Sequence, residues 1–403
     1  PLRRQRQMCI RDRPYTEVTR SGNVDYVITQ FLSGVSIMTI DGFDECLLID
    51  CRTYPMRSVS EPWKDRVLRG SRDGFVETLV SNAALLRRRI RDPRFSMELY
   101  GVGRRSRSDV AICYISDSVD QSVLNRMRKL IQSIDVDALT MNIESLAECM
   151  FTHKWINPFP KFKYSERPDT ATAAILDGNI VIMVDNSPAV MIIPASIFDI
   201  IEEADDFNFS PMIGSYLRIT RFFFSIVTWI LTPLWLLFVN NPHWVPEFMK
   251  FVLITDDITV PVLLQLLILE LAVDGLKLAA VNTPTMLSTP LSIVAGIVVG
   301  EYAVSSGWFN PEALLYMAVV TVGTYGQTNF EMGYAFKFLR VLTLILTQIF
   351  NLGGFIAGVV ISVLMIAFNR TITGKSYIYP LIPWDGKMLK RKVLRVRLPH
   401  SYK

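Results

Sequence analysis

The 403-residue chain carries 42 Lys and Arg against 38 Asp and Glu, and half of its residues are apolar. Its mean hydropathy is +0.29. The average conceals a split, because residues 1–221 hold 29 basic and 29 acidic side chains while residues 222–403 hold only 13 and 9. A wholly soluble protein is excluded, since the second half contains uncharged apolar stretches long enough for a bilayer. A nucleic-acid binder working through net charge is excluded too, because the polar half sums to zero.

The opening PLRRQRQMCIRDR has no apolar segment and cannot be a secretory signal. It looks like translated adapter sequence, so residues 1–13 are set aside; with Pro1 in place of Met, the chain reads as a fragment. Residues 35–50 predict two short strands about an Asp41-Gly42 turn. Phe75, Leu79, Leu86 and Ile90 then recur at helical spacing in a helix that ends before Pro93. A second hairpin follows, with strands at 95–102 and 109–115 joined by the basic turn 103–108, and residues 119–133 read as helix. After Pro160 the pattern repeats as a short helix stopped by Gly178 and strands around 186–188. The spacing predicts a bilobed α/β domain, with lobes at 14–155 and 156–215. The run Arg87, Arg88, Arg89, Arg91 is either a solvated helix face or a contact for lipid headgroups or a neighbouring subunit. Five cysteines (Cys9, Cys46, Cys51, Cys113, Cys149) form an odd set without a CxxC pair, and the three histidines are scattered. Buried, reduced thiols are expected, with no disulfide framework, metal site or cofactor.

Residues 216–370 predict an all-α polytopic membrane domain, followed by a basic tail at 371–403. The surest span is 222–239, which has 18 uncharged residues and a kink at Pro233. Segments 290–305 and 311–325 suggest a helical hairpin, and 341–350 and 353–368 flank Asn351 as one broken helix or two half-spans; four full crossings are expected. Between 222 and 368 four cations (Lys250, Lys277, Lys337, Arg340) face eight acids, whereas the tail from Asn369 has nine cations and only Asp385. Basic flanks stay on the cytoplasmic side. The tail is therefore placed in the cytoplasm, and Arg218 and Arg221 place the soluble block there as well.

Within 258–279, Glu270, Asp274 and Lys277 fall on one helical stripe. An acid at mid-bilayer costs roughly 2.5–3.5 kcal/mol, so this stripe must face water, a partner or the interface. An interfacial helix and a water-lined wall in an assembly both fit. Glu301 is the sharpest candidate: a carboxylate inside the otherwise spanning SIVAGIVVGEYAV. It is a pore acid if copies gather it in a ring, or else a structural ion pair or a helix-end residue. Glu331 would add a second ring at a mouth. Gly296 and Gly300, like Gly354 and Gly358, have the spacing that lets helix backbones approach closely in lipid, within one subunit or between subunits. No phosphate-binding loop, nucleophile elbow, HExxH or Ser/Cys–His pairing occurs, so no enzyme is predicted.

Residues 70–93, 103–115 and 157–194 resemble the A-subunit family of bacterial spore germinant receptors. The specific part is Glu166-Arg167-Pro168-Asp169 followed by an Asp-Gly turn and a VD-x-SP connection. RTYP at 52–55, GEYAV at 300–304 and PLIPWDGK at 380–387 look like its stage V sporulation branch, and the likeness runs over roughly residues 30 to 390. The resemblance implies a multi-pass spore inner-membrane protein with a cytoplasmic N-terminal domain and tail. It also implies a homo-oligomer, on the family pattern a pentamer, that joins other spore germination membrane proteins and releases monovalent cations. Two alternatives follow from the same likeness: a receptor subunit binding a small amino acid or sugar between the lobes, and a non-conducting scaffold.

Overall fold

The computed structural model describes residues 17–50, 57–62, 64–151, 157–282, 296–327, 329–374 and 376–396. The adapter-like residues 1–13, the 52–55 motif, Cys9, Cys51 and positions 290–295 of the expected third apolar segment lie outside them. The chain divides into two compact units between Ser58 and Val59.

In the first unit, β1 (Glu17–Ser21) and β2 (Ser36–Met38) both pair antiparallel with β3 (Cys46–Asp50), and α1 (Val24–Leu32) connects β1 to β2. The hairpin expected about Asp41-Gly42 is β2–β3. Gly42 has φ +87°, a conformation that favours residues without a Cβ. Asn23 caps α1 by accepting the Tyr26 N–H at 3.2 Å.

The second unit begins with α2 (Leu79–Arg89), then β4 (Phe95–Val102) and β5 (Ser108–Ile115), which form the expected second hairpin. After α3 (Gln121–Gln132) and α4 (Ile143–Met150) come β6 (Lys163–Ser165), α5 (Pro168–Leu176), β7 (Ile180–Val184) and β8 (Val190–Ile193). The strands make one antiparallel sheet in the order β4-β5-β7-β8-β6. Alternate residues serve two cores. Val110, Ile112, Ile180 and Ile182 pack on α3 and α4, whereas Ala111, Cys113, Val181 and Met183 pack on α2 and α5. A strand covered on both faces must be apolar where it is covered, and β7, β8 and β5 from Val110 onward are buried.

This sheet corrects the bilobed division. Val110 lies opposite Val184 and Cys113 opposite Val181, so strands on either side of the expected 155/156 boundary share a ladder. Residues 14–155 and 156–215 are not separate lobes, because their apolar strands obtain two-sided cover only by joining one sheet. Of the cysteines, Cys113 is buried, Cys46 is half-buried and Cys149 is exposed, so the expectation of uniformly buried thiols fails at Cys149. The arginine run stays mostly on the surface: Arg87, Arg88 and Arg91 are exposed, while Arg88 and Arg89 each pair with Asp73 at 2.6 Å and Arg87 lies over the Phe95 ring.

Two short helices, α6 (Ile197–Ile201) and α7 (Asp205–Asn208), lead into α8 (Pro211–Asn240), which contains Pro233. The further helices of eight residues or more among the described residues are α9 (Val262–Asn282), α10 (Pro311–Tyr325), α11 (Phe330–Ala367) and the tail helix α12 (Gly386–Val393). Among the described residues, α8 and α11 are long and apolar enough to cross a membrane. The second of these is a hairpin. Asn351 interrupts it at φ 52°, ψ −130°. A Cβ on Gly354 would collide with the Leu346 carbonyl, and one on Gly358 would lie 2.8 Å from the Thr343 side chain. In a straight helix, positions 343 and 358 would be roughly 22 Å apart, so the two arms fold back on each other. The expected break at Asn351 thus resolves into two antiparallel arms.

Candidate functional site: the charged centre of the helical bundle

The bundle is assembled by a few polar contacts between apolar helices. At one end Asn241, which closes α8, exchanges amide hydrogen bonds with Asn351 at the hairpin tip, at 2.5 and 3.0 Å. Gln265, near the start of α9, donates to Asn310 Oδ1 and accepts from the Asn310 N–H just before α10, at 2.7 and 2.8 Å. Tyr316 of α10 lies against Trp235, ring centroids 4.8 Å apart, and Gly323 abuts Phe224 and Thr228, so α10 runs antiparallel to α8. Counting both arms of α11, the described helices α8, α9, α10 and α11 make five passes along the bundle.

At the centre sits a charged cluster. Glu270 is 5 % exposed and Arg340 3 %. Arg340 Nε donates to Glu270 Oε1 at 2.5 Å, and its Nη1 donates to the Thr228 carbonyl at 2.5 Å. Lys337, one turn earlier on the same arm, pairs with Asp274 and lies 3.6 Å from Glu270 Oε2. Lys277 rests over the rings of Tyr325 and Tyr334 at 5.3 and 5.6 Å. A cavity of about 90 Å3 opens among these groups and Gln327. The stripe on α9 therefore faces cations of its own chain. This corrects the interfacial-helix reading: Val262, Leu266 and Leu269 are buried in the bundle alongside Glu270. An unpaired charge at such a position would be hard to hold in an apolar setting, and pairing is how it is tolerated. The partners Lys337 and Arg340 were countable in the sequence but not paired there. The signal was available, because two cations three apart in one apolar helix answer two acids four apart in another.

The other candidates lie elsewhere. Glu301 sits on a π-helical turn (Gly296–Tyr302), is exposed, and has no ion-pair partner among the described residues. A Cβ on Gly296 or Gly300 would meet nothing within 4 Å among the described residues, whereas Gly354 and Gly358 are pressed against the opposite hairpin arm. Glu331 lies in the first turn of α11 and borders a hollow of about 400 Å3 with Glu144, Glu148, Tyr164 and Lys161 of the sheet module.

Glu166-Arg167-Pro168-Asp169 is an architectural staple. Pro168 opens α5, and the Arg167 side chain, 1 % exposed, forks onto Asp169 at 3.0 and 2.5 Å and reaches the Ser71 carbonyl at 2.9 Å. The Glu166 N–H donates to Asp65 Oδ2 at 2.9 Å, and its carbonyl accepts from the Phe75 N–H at 2.8 Å. The element fastens the segment around residues 65–75 to the edge of the sheet.

Arg218 and Arg221 are likewise engaged. Arg218 pairs with Glu202 at 2.8 Å and with the fully buried Asp206 at 3.3 Å, and it donates to the carbonyls of Arg391 and Lys392 at 3.0 Å. Arg221 completes the cluster with Asp206 at 2.7 Å.

An α/β module joined by a buried charge seam to a helical bundle is thus the class of protein the geometry defines. Residues 3–403 match the Bacillus/Clostridium GerA spore germination protein family, and the chain belongs to that family. It is 37 % identical over 383 residues to stage V sporulation protein AF of Bacillus subtilis (strain 168), covering 95 % of this chain and 77 % of that protein. It is 27 % identical over 385 residues to spore germination protein GerLA of Bacillus cereus, covering 94 % and 77 %. Among solved structures, the crystal structure of the N-terminal domain of the A subunit of the Bacillus megaterium spore germinant receptor GerK3 is 32 % identical; the match covers 30 % of this chain and 93 % of that one, with a TM-score of 0.24.

Proposed function

We propose that this chain is a multi-pass inner-membrane subunit of a spore germination complex, in which several copies form a pathway for monovalent cations lined by Glu301. The observation that carries this reading is a division among the candidate acids. Glu270 and Asp274 are neutralised by Arg340 and Lys337 inside one chain, which suits them to holding the bundle together. Glu301 is left exposed and without an ion-pair partner among the described residues. A carboxylate on the outside of an apolar bundle is tolerable where it faces water shared between copies. Glu331, at the sheet-side end, is the second candidate on that route, and α9 with α11 forms the wall behind it.

The orientation rests on the tail. Lys392 pairs with Asp199, and the carbonyls of Arg391 and Lys392 meet Arg218, so the tail and the sheet module lie on one side of the bundle. With basic flanks kept inside, that side is cytoplasmic. The test is potassium flux from liposomes holding the purified chain. Glu301→Gln is expected to lower cation conductance and blunt selectivity over chloride. Unchanged flux in the variant removes Glu301 from the pathway, and no flux from the parent protein favours the scaffold reading.

A further inference from the structure

The segment after the hairpin carries a second surface that the permeation reading does not use. Residues 380–385 form a turn that leaves Leu381, Ile382 and Trp384 40, 56 and 71 % exposed. Asp385 then caps α12, accepting the N–H groups of Lys387 and Met388 at 3.1 and 3.0 Å. Lys387, Lys390 and Arg391 are exposed along that helix, at positions three and four apart and so on one face. Three large apolar side chains beside a basic helical face, with no acid but the capping Asp385 in 380–396, make a surface that water alone suits poorly.

The place of α12 in the fold says what covers it. Its opposite side is fixed by the Lys392–Asp199 ion pair and by the Arg391 and Lys392 carbonyls on Arg218, and the Arg395 N–H beyond it donates to Ser215 Oγ at 3.0 Å. Arg218 precedes the uncharged stretch from Phe222 by four residues, which is about 6 Å along a helix. The tail helix is therefore held at the level where hydrocarbon gives way to headgroups. Trp at that depth and Lys/Arg beside it are the residues an interface selects.

We infer that residues 381–391 form an anchor for anionic lipid, with Leu381, Ile382 and Trp384 entering the interfacial layer and Lys387, Lys390 and Arg391 holding the phosphates of acidic headgroups. The inference rests on the membrane reading of α8. Each cation near an acidic surface strengthens such binding roughly fivefold, and the anchor acts on the same helix that ties the sheet module to α8.

The experiment places the full chain in nanodiscs of phosphatidylcholine and phosphatidylglycerol at one fixed ratio. Bromine is carried on the acyl chains of one lipid or of the other. The tryptophan signal lost in Trp384→Phe isolates that residue. The expected result is a several-fold stronger quenching of the Trp384 component when phosphatidylglycerol carries the bromine, with the preference abolished in the triple variant Lys387→Gln, Lys390→Gln, Arg391→Gln. Normal entry into discs with Trp384 unquenched, or quenched equally by both lipids, overturns the anchor and leaves the membrane reading standing. Failure of the parent chain to enter discs overturns both.

Discussion

Single charged residues in this chain are held in place by close partners, and Glu98 shows what that does to stability. Its carboxylate accepts from Arg128 Nε at 2.9 Å, Tyr114 Oη at 2.5 Å and Tyr100 Oη at 2.7 Å. The Arg128 hydrogen bond, with those from the two tyrosines, pushes its pKa down to about 2 against the opposing effect of burial. A carboxyl whose folded pKa is depressed contributes stability that is fully present above its unfolded value, about 4.3, and is lost as pH falls through the folded value. Arg128→Leu is therefore expected to cost about 1 kcal/mol at neutral pH, a figure kept low because both side chains are partly solvated. The difference from the parent protein should fade between about pH 4 and about pH 2. Hydrogen exchange of β4 and β5 amides across that range checks it, and a pH-independent difference would contradict the linkage. The Glu270–Arg340 pair lies deeper and carries higher stakes, since losing one member of a buried pair costs about 3–5 kcal/mol by leaving the other charge stranded.

Among the elements, the α11 hairpin depends on what its glycines lack. Gly354 faces the Leu346 carbonyl across the hairpin, while Gly353, its neighbour, has nothing within 4 Å among the described residues. Gly354→Ala is expected to destabilise the bundle by about 1–3 kcal/mol through overpacking against backbone that cannot move aside. Gly353→Ala should be neutral or slightly stabilising, because Ala is the better helix former. Thermal unfolding of the two variants in one detergent separates them, and equal melting temperatures would mean that the arms do not press together there. The elements most legible in the sequence were those with a local signature. The β4–β5 hairpin, α5 with Gly178 behind it, and the break at Asn351 all carry turn chemistry or periodicity. What escaped was long-range. Nothing local tells β5 to pair with β7 across some 70 residues, because an apolar strand covered on both faces looks the same whichever neighbour it takes. The same holds for the site: Glu270 and Asp274 stood out as costly acids, but their partners lie more than 60 residues away on another helix.

For the molecule as a whole, the question is how a change in the sheet module reaches the bundle. The two are joined at specific seams. Phe159 meets Phe336 and Tyr377, and the Lys161 ammonium donates to the Asn369 side chain and to the Arg370 carbonyl at 2.8 Å, just past the returning arm of α11. The Arg218 cluster is the strongest of these seams, because one guanidinium there gathers α6–α7 acids, α8 and the tail. Arg218→Met keeps the apolar length of the side chain but deletes every donor. Asp206 would retain Arg221 and Glu202 would retain Lys392, so the loss should fall below the full cost of a stranded pair, at about 2–3 kcal/mol. The carbonyls of Arg391 and Lys392 would lose the Arg218 guanidinium. Local opening follows local stability, so amides of 386–396 should exchange roughly 30-fold faster, while those of β5 and β7, buried between two helical layers, keep their protection. A uniform rise in exchange across both regions would mean that Arg218 supports the fold at large, and an unchanged tail would mean that α12 is held by something other than this seam.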